Sequence, residues 1–216
     1  MSGLVLKDFL VLRKHLRTYL LFLAFYLALG FVGVFPLSVV TSIISVVIMM
    51  IPLSTFSYDA YAKWDRYAAT LPLGRRTMVS ARYLFVLLLW VVTACLALLS
   101  CVFLSISGQS SLEEALASAL TVLAVSLGIV DIMLPLTYKL GPERSRTYLY
   151  IIVFLPSLLL FALYRLGVFD QEIFRWLVHL PEWSFVALTA LLPLLGLAGL
   201  GVSWLFSCRI MENKEF

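Results

Sequence analysis

From Thr18 to Tyr58 the chain runs 41 residues without a charged side chain. One bilayer crossing takes about 20 apolar residues at a rise of 1.5 Å each. A run twice that length predicts a helical hairpin, two crossings joined by a break. Gly33-Val34-Phe35-Pro36 supplies the break, since glycine and proline punctuate helices. The rest of the chain carries the same bias. Of 216 residues, 62% are hydrophobic and 13% charged, with a mean hydropathy of +1.03. An ordinary soluble domain is about 45–50% apolar and about 25% charged. The 16 basic and 12 acidic side chains cannot cover the surface of a soluble domain of this length. Disorder is excluded too, because disordered chains are poor in aromatic and β-branched residues.

The fold class expected is therefore an all-α polytopic membrane protein forming a single transmembrane domain over residues 1–216, with no internal repeat and no linker. Six crossings are expected, at about 19–35, 37–57, 83–107, 115–138, 148–168 and 184–207. With the N-terminus inside, the cytoplasmic segments hold Lys7, Arg13, Lys14, Arg17, Lys63, Arg66, Arg75, Arg76, Arg82, Lys139, Arg144, Arg146, Arg209 and Lys214. Only Arg165 and Arg175 fall outside, beside Glu113, Glu114, Asp170, Glu172 and Glu182. Both termini are thus expected in the cytoplasm. The net charge of +4 then records orientation; the basic residues are scattered over four segments, which argues against a nucleic-acid role. The first apolar run passes Ala28-Leu29-Gly30 without ending, so an uncleaved first span is expected rather than a signal peptide. Cys95, Cys101 and Cys208 give no disulfide framework.

Three segments outside the spans carry pattern. In residues 1–18, Val5, Leu6, Phe9, Leu10, Leu12 and Leu16 share one broad helical face opposite Lys7, Asp8, Lys14 and His15. This fits an interfacial helix on the inner leaflet, the plainer alternative being a basic tail. In the cytoplasmic loop 59–82, a helix would align Asp59, Lys63, Arg66 and Thr70, with Asp59 and Lys63 as an i,i+4 pair. Ala60, Trp64, Tyr67 and Ala68 take another side, with Asp65 apart. Leu71-Pro72-Leu73-Gly74 stops the helix, and Arg75 and Arg76 start the return to the bilayer. Two readings stand on these residues alone: an interfacial helix with aromatics at headgroup depth, or a docking helix for a cytoplasmic partner. In the external loop 169–183, Ile173, Trp176, Leu177 and Leu180 recur at helical spacing before Pro181, which fits a short amphipathic helix dipping into the outer leaflet.

Chemistry-bearing motifs are absent from the sequence. There is no phosphate loop, no His-Glu-x-x-His and no Gly-x-Ser-x-Gly. His15 and His179 fall on opposite sides of the expected membrane, so neither catalysis nor a metal site is expected of this chain. Asp131 alone places a charge within a span. Its charge is costly in lipid, leaving two readings: a lining residue of a substrate path, or a carboxylate bonded to a neighbouring Ser, Thr or Tyr or to a cation. Stripes of small residues, Gly199/Ser203/Ser207, Ala97/Cys101/Ser105 and Ala24/Ala28, fit close helix packing and leave a dimer open.

The run Phe56, Asp59, Lys63-Trp64-Asp65, Leu71-Pro72, Arg75-Arg76 and Arg82-Tyr83 resembles a recurrent stretch of small bacterial ABC transporter permeases. Leu134-Pro135, Tyr138-Lys139, Gly141 and Arg144 are similar to a second stretch of the same group. These are the ABC-2-type (type V exporter) membrane subunits, which include exporters of phenol-soluble modulins and lantibiotic-like peptides. The resemblance implies two paired membrane subunits, identical or related, in a bacterial plasma membrane, each docking a separate cytoplasmic ATPase that carries the ATP and Mg2+. It gives residues 59–82 the role of a coupling helix, with Asp59, Lys63, Trp64, Asp65 and Arg66 at the ATPase contact, and it implies a peptide or hydrophobic cargo. No cofactor is expected on this chain. Two rival functions remain at this level: an ion-coupled transporter or channel using Asp131, and a membrane immunity or assembly protein that transports nothing.

Overall fold

The computed structural model describes residues 2–31, 37–69, 74–106, 111–166 and 182–213. Every regular element among them is an α-helix: α1 Ser2–Phe31, α2 Leu37–Tyr61, α3 Trp64–Ala69, α4 Arg75–Ile106, α5 Leu112–Leu140, α6 Pro142–Arg165 and α7 Glu182–Glu212. Among the described residues, four segments are long and apolar enough to cross a membrane: Arg75–Val102, Leu112–Leu140, Pro142–Arg165 and Thr189–Glu212. A shorter apolar stretch, Arg17–Gly30, lies in α1.

The helix boundaries have local causes. Ser111 caps α5, accepting from the Glu114 amide, while the Glu114 carboxylate accepts from the Ser111 amide. This capping box and the acidic first turn satisfy orphan amides and favour the positive end of the helix dipole. At the other end Gly141 has φ +83°, a left-handed conformation that glycine adopts freely, and Pro142 opens α6 where its missing N–H costs nothing. Four long helices contain a proline: Pro52, Pro135, Pro156 and Pro193. Membrane helices tolerate such prolines; three residues past Pro52 the Thr55 hydroxyl donates to the Pro52 carbonyl at 2.7 Å.

Two expectations differ from the structure. The interfacial helix expected over 1–18 and the first span expected over 19–35 belong to one continuous helix through Phe31, with no turn near Thr18. The sequence there holds neither glycine nor proline to break it. The helix expected to run from Asp59 to Thr70 is interrupted at Ala62-Lys63, with Lys63 at φ 50°. Asp59 thus lies in the last turn of α2 and Trp64 begins α3. The hairpin turn near residues 33–36 and the external helix at 169–181 lie outside the described residues.

The α4–α5–α7 unit forms the centre, with α5 and α7 in the most extensive contact. Gly196 and Gly199 let the two backbones approach. A Cβ on Gly196 would stand 2.9 Å from Leu127 Cβ, and one on Gly199 2.5 Å from Asp131 Oδ2. Along the α4–α7 seam the Tyr83 hydroxyl meets those of Ser203 at 2.7 Å and Ser207 at 2.8 Å, and Trp204 Nε1 donates to Ser80 at 3.0 Å. The stripe Gly199/Ser203/Ser207 is therefore used inside the protomer. Ala97 and Cys101 pack against Ala115 and Ala119 of α5 in the same way, whereas Ala24 and Ala28 are exposed. At the end of the bundle Arg75 donates to the last carbonyls of α7, 2.6 Å from Glu212 O, and Arg76 pairs with the Glu212 carboxylate at 2.5 Å. Helix α6 stands apart: none of its spanning window is buried, and Phe154, Leu155, Leu158 and Phe161 all face outward.

Candidate functional site

Where the first turns of α1, the last turns of α2 and the first turns of α4 meet, four charged side chains converge. Arg82 is 7% exposed, Asp59 7% and Asp8 3%. Burying an unpaired charge costs several kcal/mol, so these groups need opposite charges, and each lies within ion-pair distance of one, although among the described residues the buried Asp8 Oδ1 accepts no hydrogen bond. The Arg82 guanidinium stands 2.9 Å from Asp8 Oδ1, donates to Thr55 Oγ1 at 2.7 Å and pairs with Asp59 Oδ2. Its Cζ lies over the Phe56 ring, 4.5 Å from the ring centre, and that ring in turn meets Tyr138 of α5 edge-on at 5.1 Å. Lys7 donates to both Asp59 oxygens at 2.8 Å and stands 3.2 Å from Asp8. Two acids and two bases sum to zero, so the cluster ties three helices together without burying net charge.

The cluster reaches α3 through Trp64. The Lys7 ammonium lies 4.4 Å from the centre of a Trp64 ring, a cation–π contact, and Trp64 packs on Tyr67 at 5.4 Å. The apolar side of α1 secures the base of the arrangement, with Val5 and Leu12 buried against Ala81 and Phe85, and Phe9 edge-on to Phe85 at 5.1 Å. Leu6 and Leu10 are left exposed. They join Lys7, Tyr58, Tyr61 and Trp64 around an open groove of about 980 Å³ between α1 and the α2–α3 corner. Tyr61 there is 78% exposed.

The residues predicted from sequence separate in this geometry. The Asp59–Lys63 pair is replaced: the break at Ala62-Lys63 removes the i,i+4 register, and Asp59 turns inward to Lys7 and Arg82. Lys63 is exposed at the break, and Trp64 is half-buried. Asp65 and Arg66 lie on α3, their side chains outside the described set. Asp131 stands apart from all of these, on α5 against Gly199, and does not line the apolar cavity between α2, α5 and α6. Ser203 donates to its backbone carbonyl at 2.7 Å rather than to its carboxylate. Among the described residues its buried Oδ1 has no hydrogen-bond partner. Sequence reasoning placed no site at Lys7, Asp8, Thr55 or Arg82. The available signal was a charged residue beside each of three apolar segments, which says nothing about which ones meet.

Burial raises the Asp8 carboxyl above its ordinary value of 3.8, against the pull of Arg82 and then Lys7, while neighbouring Asp59 adds to the rise. The sign follows. The folded state holds a proton on Asp8 at pH values where the unfolded chain has already lost it. Asp8 therefore contributes stability that falls as pH rises from 3.8 through its elevated value. Asp8→Asn is expected to lose about 1 kcal/mol or less at neutral pH, against about 3 kcal/mol for Asp59→Asn, which strips Lys7 and Arg82 of their shared acceptor. Unfolding midpoints in detergent, measured from about pH 4 to about pH 7, check this, and the parent should gain on Asp8→Asn as pH is lowered. Equal losses for the two variants would overturn the ranking.

No curated protein and no solved structure matches the chain. The family model described as ABC-2 family transporter protein matches residues 3–212. That span takes in the charged cluster, the α3 corner and all the membrane-length helices, and the chain belongs to the ABC-2 transporter family.

Proposed function

We propose that this ABC-2 transporter subunit is the permease of an ATP-driven exporter that moves amphipathic peptides or other hydrophobic compounds out of the cytoplasm. In this reading the chain crosses the bacterial plasma membrane six times with both termini inside. It pairs with a second permease, and two copies of a separate ATPase bring the ATP and Mg2+. The chain catalyses no reaction of its own. The observation that carries the proposal is the α1–α3 groove, whose aromatic wall is mechanically tied to three long helices. Tyr61, Trp64, Leu6 and Leu10 give a partner protein aromatic and apolar anchors. A push on α3 passes from Trp64 to Lys7, from Lys7 to Asp59 and from Asp59 to Arg82, and so reaches α1, α2 and α4 together. Of the residues expected at the ATPase contact, Trp64 and Lys63 then face the partner with Asp65 and Arg66 beside them, and Asp59 acts from behind as a positioning residue.

The test is reconstitution with the copurifying ATPase in liposomes. Truncating a central aromatic anchor costs about 2 kcal/mol or more, so Trp64→Ala is expected to weaken ATPase binding about thirty-fold and to abolish cargo-stimulated ATP hydrolysis. Lys63→Ala, an exposed charge, should act mainly on the rate of association and its salt dependence. ATP hydrolysis and transport unchanged in the double variant Trp64→Ala/Lys63→Ala would overturn the proposal.

A further inference from the structure

Thr55 is fully buried in α2, three residues past Pro52 and one turn before Asp59. Its hydroxyl is held from two sides. Arg82 Nη1 of α4 donates to Thr55 Oγ1 at 2.7 Å, and Thr55 Oγ1 lies 2.7 Å from the Pro52 carbonyl. A guanidinium can only donate, so the Thr55 oxygen accepts from Arg82 and its single proton goes to Pro52. The helix is weak at the same place. Proline has no N–H to offer the carbonyl of Ile48 one turn back, and a hydroxyl that bonds to its own helix backbone tends to bend it. Two further hydroxyls brace this turn. Ser54 donates to the Met50 carbonyl at 3.1 Å and meets the Tyr19 hydroxyl of α1 at 3.1 Å. Ser57 donates to the Leu53 carbonyl at 3.2 Å and accepts from Arg146 of α6 at 2.9 Å.

From this we infer that Thr55 is a positioning residue that sets the direction of α2 at Pro52. Arg82 orients the Thr55 hydroxyl, the hydroxyl holds the Pro52 carbonyl, and residues 37–51 take their angle from the charged cluster. The other side of the pivot is anchored separately, since Asp59 is bound to Lys7 of α1 and to Arg82 of α4. A helix fixed at one end and weakened at one turn yields at that turn. Valine would fill the same volume as Thr55, so what threonine adds is the hydroxyl and its two bonds. The pivot also names where the push proposed above becomes movement of a membrane helix. That consequence rests on the transport reading, whereas the pivot itself does not.

The test therefore uses the full chain without an ATPase. Spin labels are placed at Val39 of α2 and Leu99 of α4, both exposed, with Cys95, Cys101 and Cys208 replaced by serine and the labelled protein diluted with unlabelled chain. Their separation is measured by pulsed electron paramagnetic resonance in liposomes. Val39 lies about 20 Å along the helix from Pro52 at 1.5 Å per residue, so a change of about 20° at the proline carries it about 7 Å. Thr55→Val should shift or broaden the distance by about that much, and Thr55→Ser, which keeps the hydroxyl, should restore the parent distance. Thr55→Ala serves in place of the valine variant should that one fail to fold. In a Pro52→Ala background, where the backbone bond to Ile48 is restored, Thr55→Val should leave the distance unchanged. A parent-like distance in monodisperse Thr55→Val, or an equal shift in Thr55→Ser, would overturn the inference. A shift of the same size in the Pro52→Ala background would overturn it too, because the pivot would then lie elsewhere.

Discussion

Arg82→Met is expected to remove about 3–5 kcal/mol of stability, the largest effect of any single substitution at the charged cluster. Methionine matches the arginine stem in volume and can still pack on Phe56. What it removes is the cation that neutralises two buried carboxylates. Asp8 then keeps Lys7 alone, at 3.2 Å, and must share it with Asp59, which already binds that ammonium through both oxygens. Thr55, fully buried, loses the guanidinium that donates to it. The cost is mainly that of stranded anions, not of a missing attraction. Adding Asp8→Asn to Arg82→Met should accordingly restore part of the loss by removing one of them. Reversible unfolding in mixed micelles measures both. A loss below about 1 kcal/mol for Arg82→Met, or no recovery in the double variant, would show that water relieves the cluster and that it does not hold α1, α2 and α4 together.

Gly196→Leu is expected to cost about 3 kcal/mol, the upper end for overpacking a core. Even a methyl at this position would stand 2.9 Å from Leu127 Cβ and 3.0 Å from its Cδ1. Leu127 is 1% exposed and belongs to the central core, so it has nowhere to retreat. The larger side chain must push α5 and α7 apart along the most extensive helix contact in the molecule. The neighbouring control is Gly201→Leu, where a Cβ meets nothing within 4 Å. Thermal unfolding of the two variants in detergent should separate them by well over the scatter of a surface substitution, about 0.5 kcal/mol. Equal melting behaviour would mean that the two helices slide to absorb the volume.

Much of the architecture was legible because one physical constraint dominates it. Lipid demands that backbone groups be satisfied within the segment, so long apolar runs become helices, and Arg75–Ile106, Leu112–Leu140 and Glu182–Glu212 follow the runs expected near 83–107, 115–138 and 184–207. The family resemblance rested on short motifs, and the match over residues 3–212 bears out the ABC-2 family. The segment 59–82 was legible only in outline. A helix there was expected from Asp59 onward, and spacing suggested that Asp59 pair with Lys63. Local periodicity cannot reveal that Lys7, 52 residues upstream, offers Asp59 a better-placed ammonium, or that Arg82 completes the set from the other side.

The small-residue stripe teaches the same lesson. Gly199, Ser203 and Ser207 announced a close contact but not its partner, which proves to be α5 and α4 of the same chain, with Asp131 fitted against the bare glycine. Hydropathy and charge, read along the chain, determined that this protein is helical and made for a membrane, because transfer free energy is a property of each segment by itself. Which charges neutralise one another, which face of α1 is buried and where a cavity is left between α2, α5 and α6 were decided only by tertiary structure. Those outcomes depend on distances between segments far apart in sequence, and on the need of the buried Asp8, Asp59 and Arg82 for counterions across them.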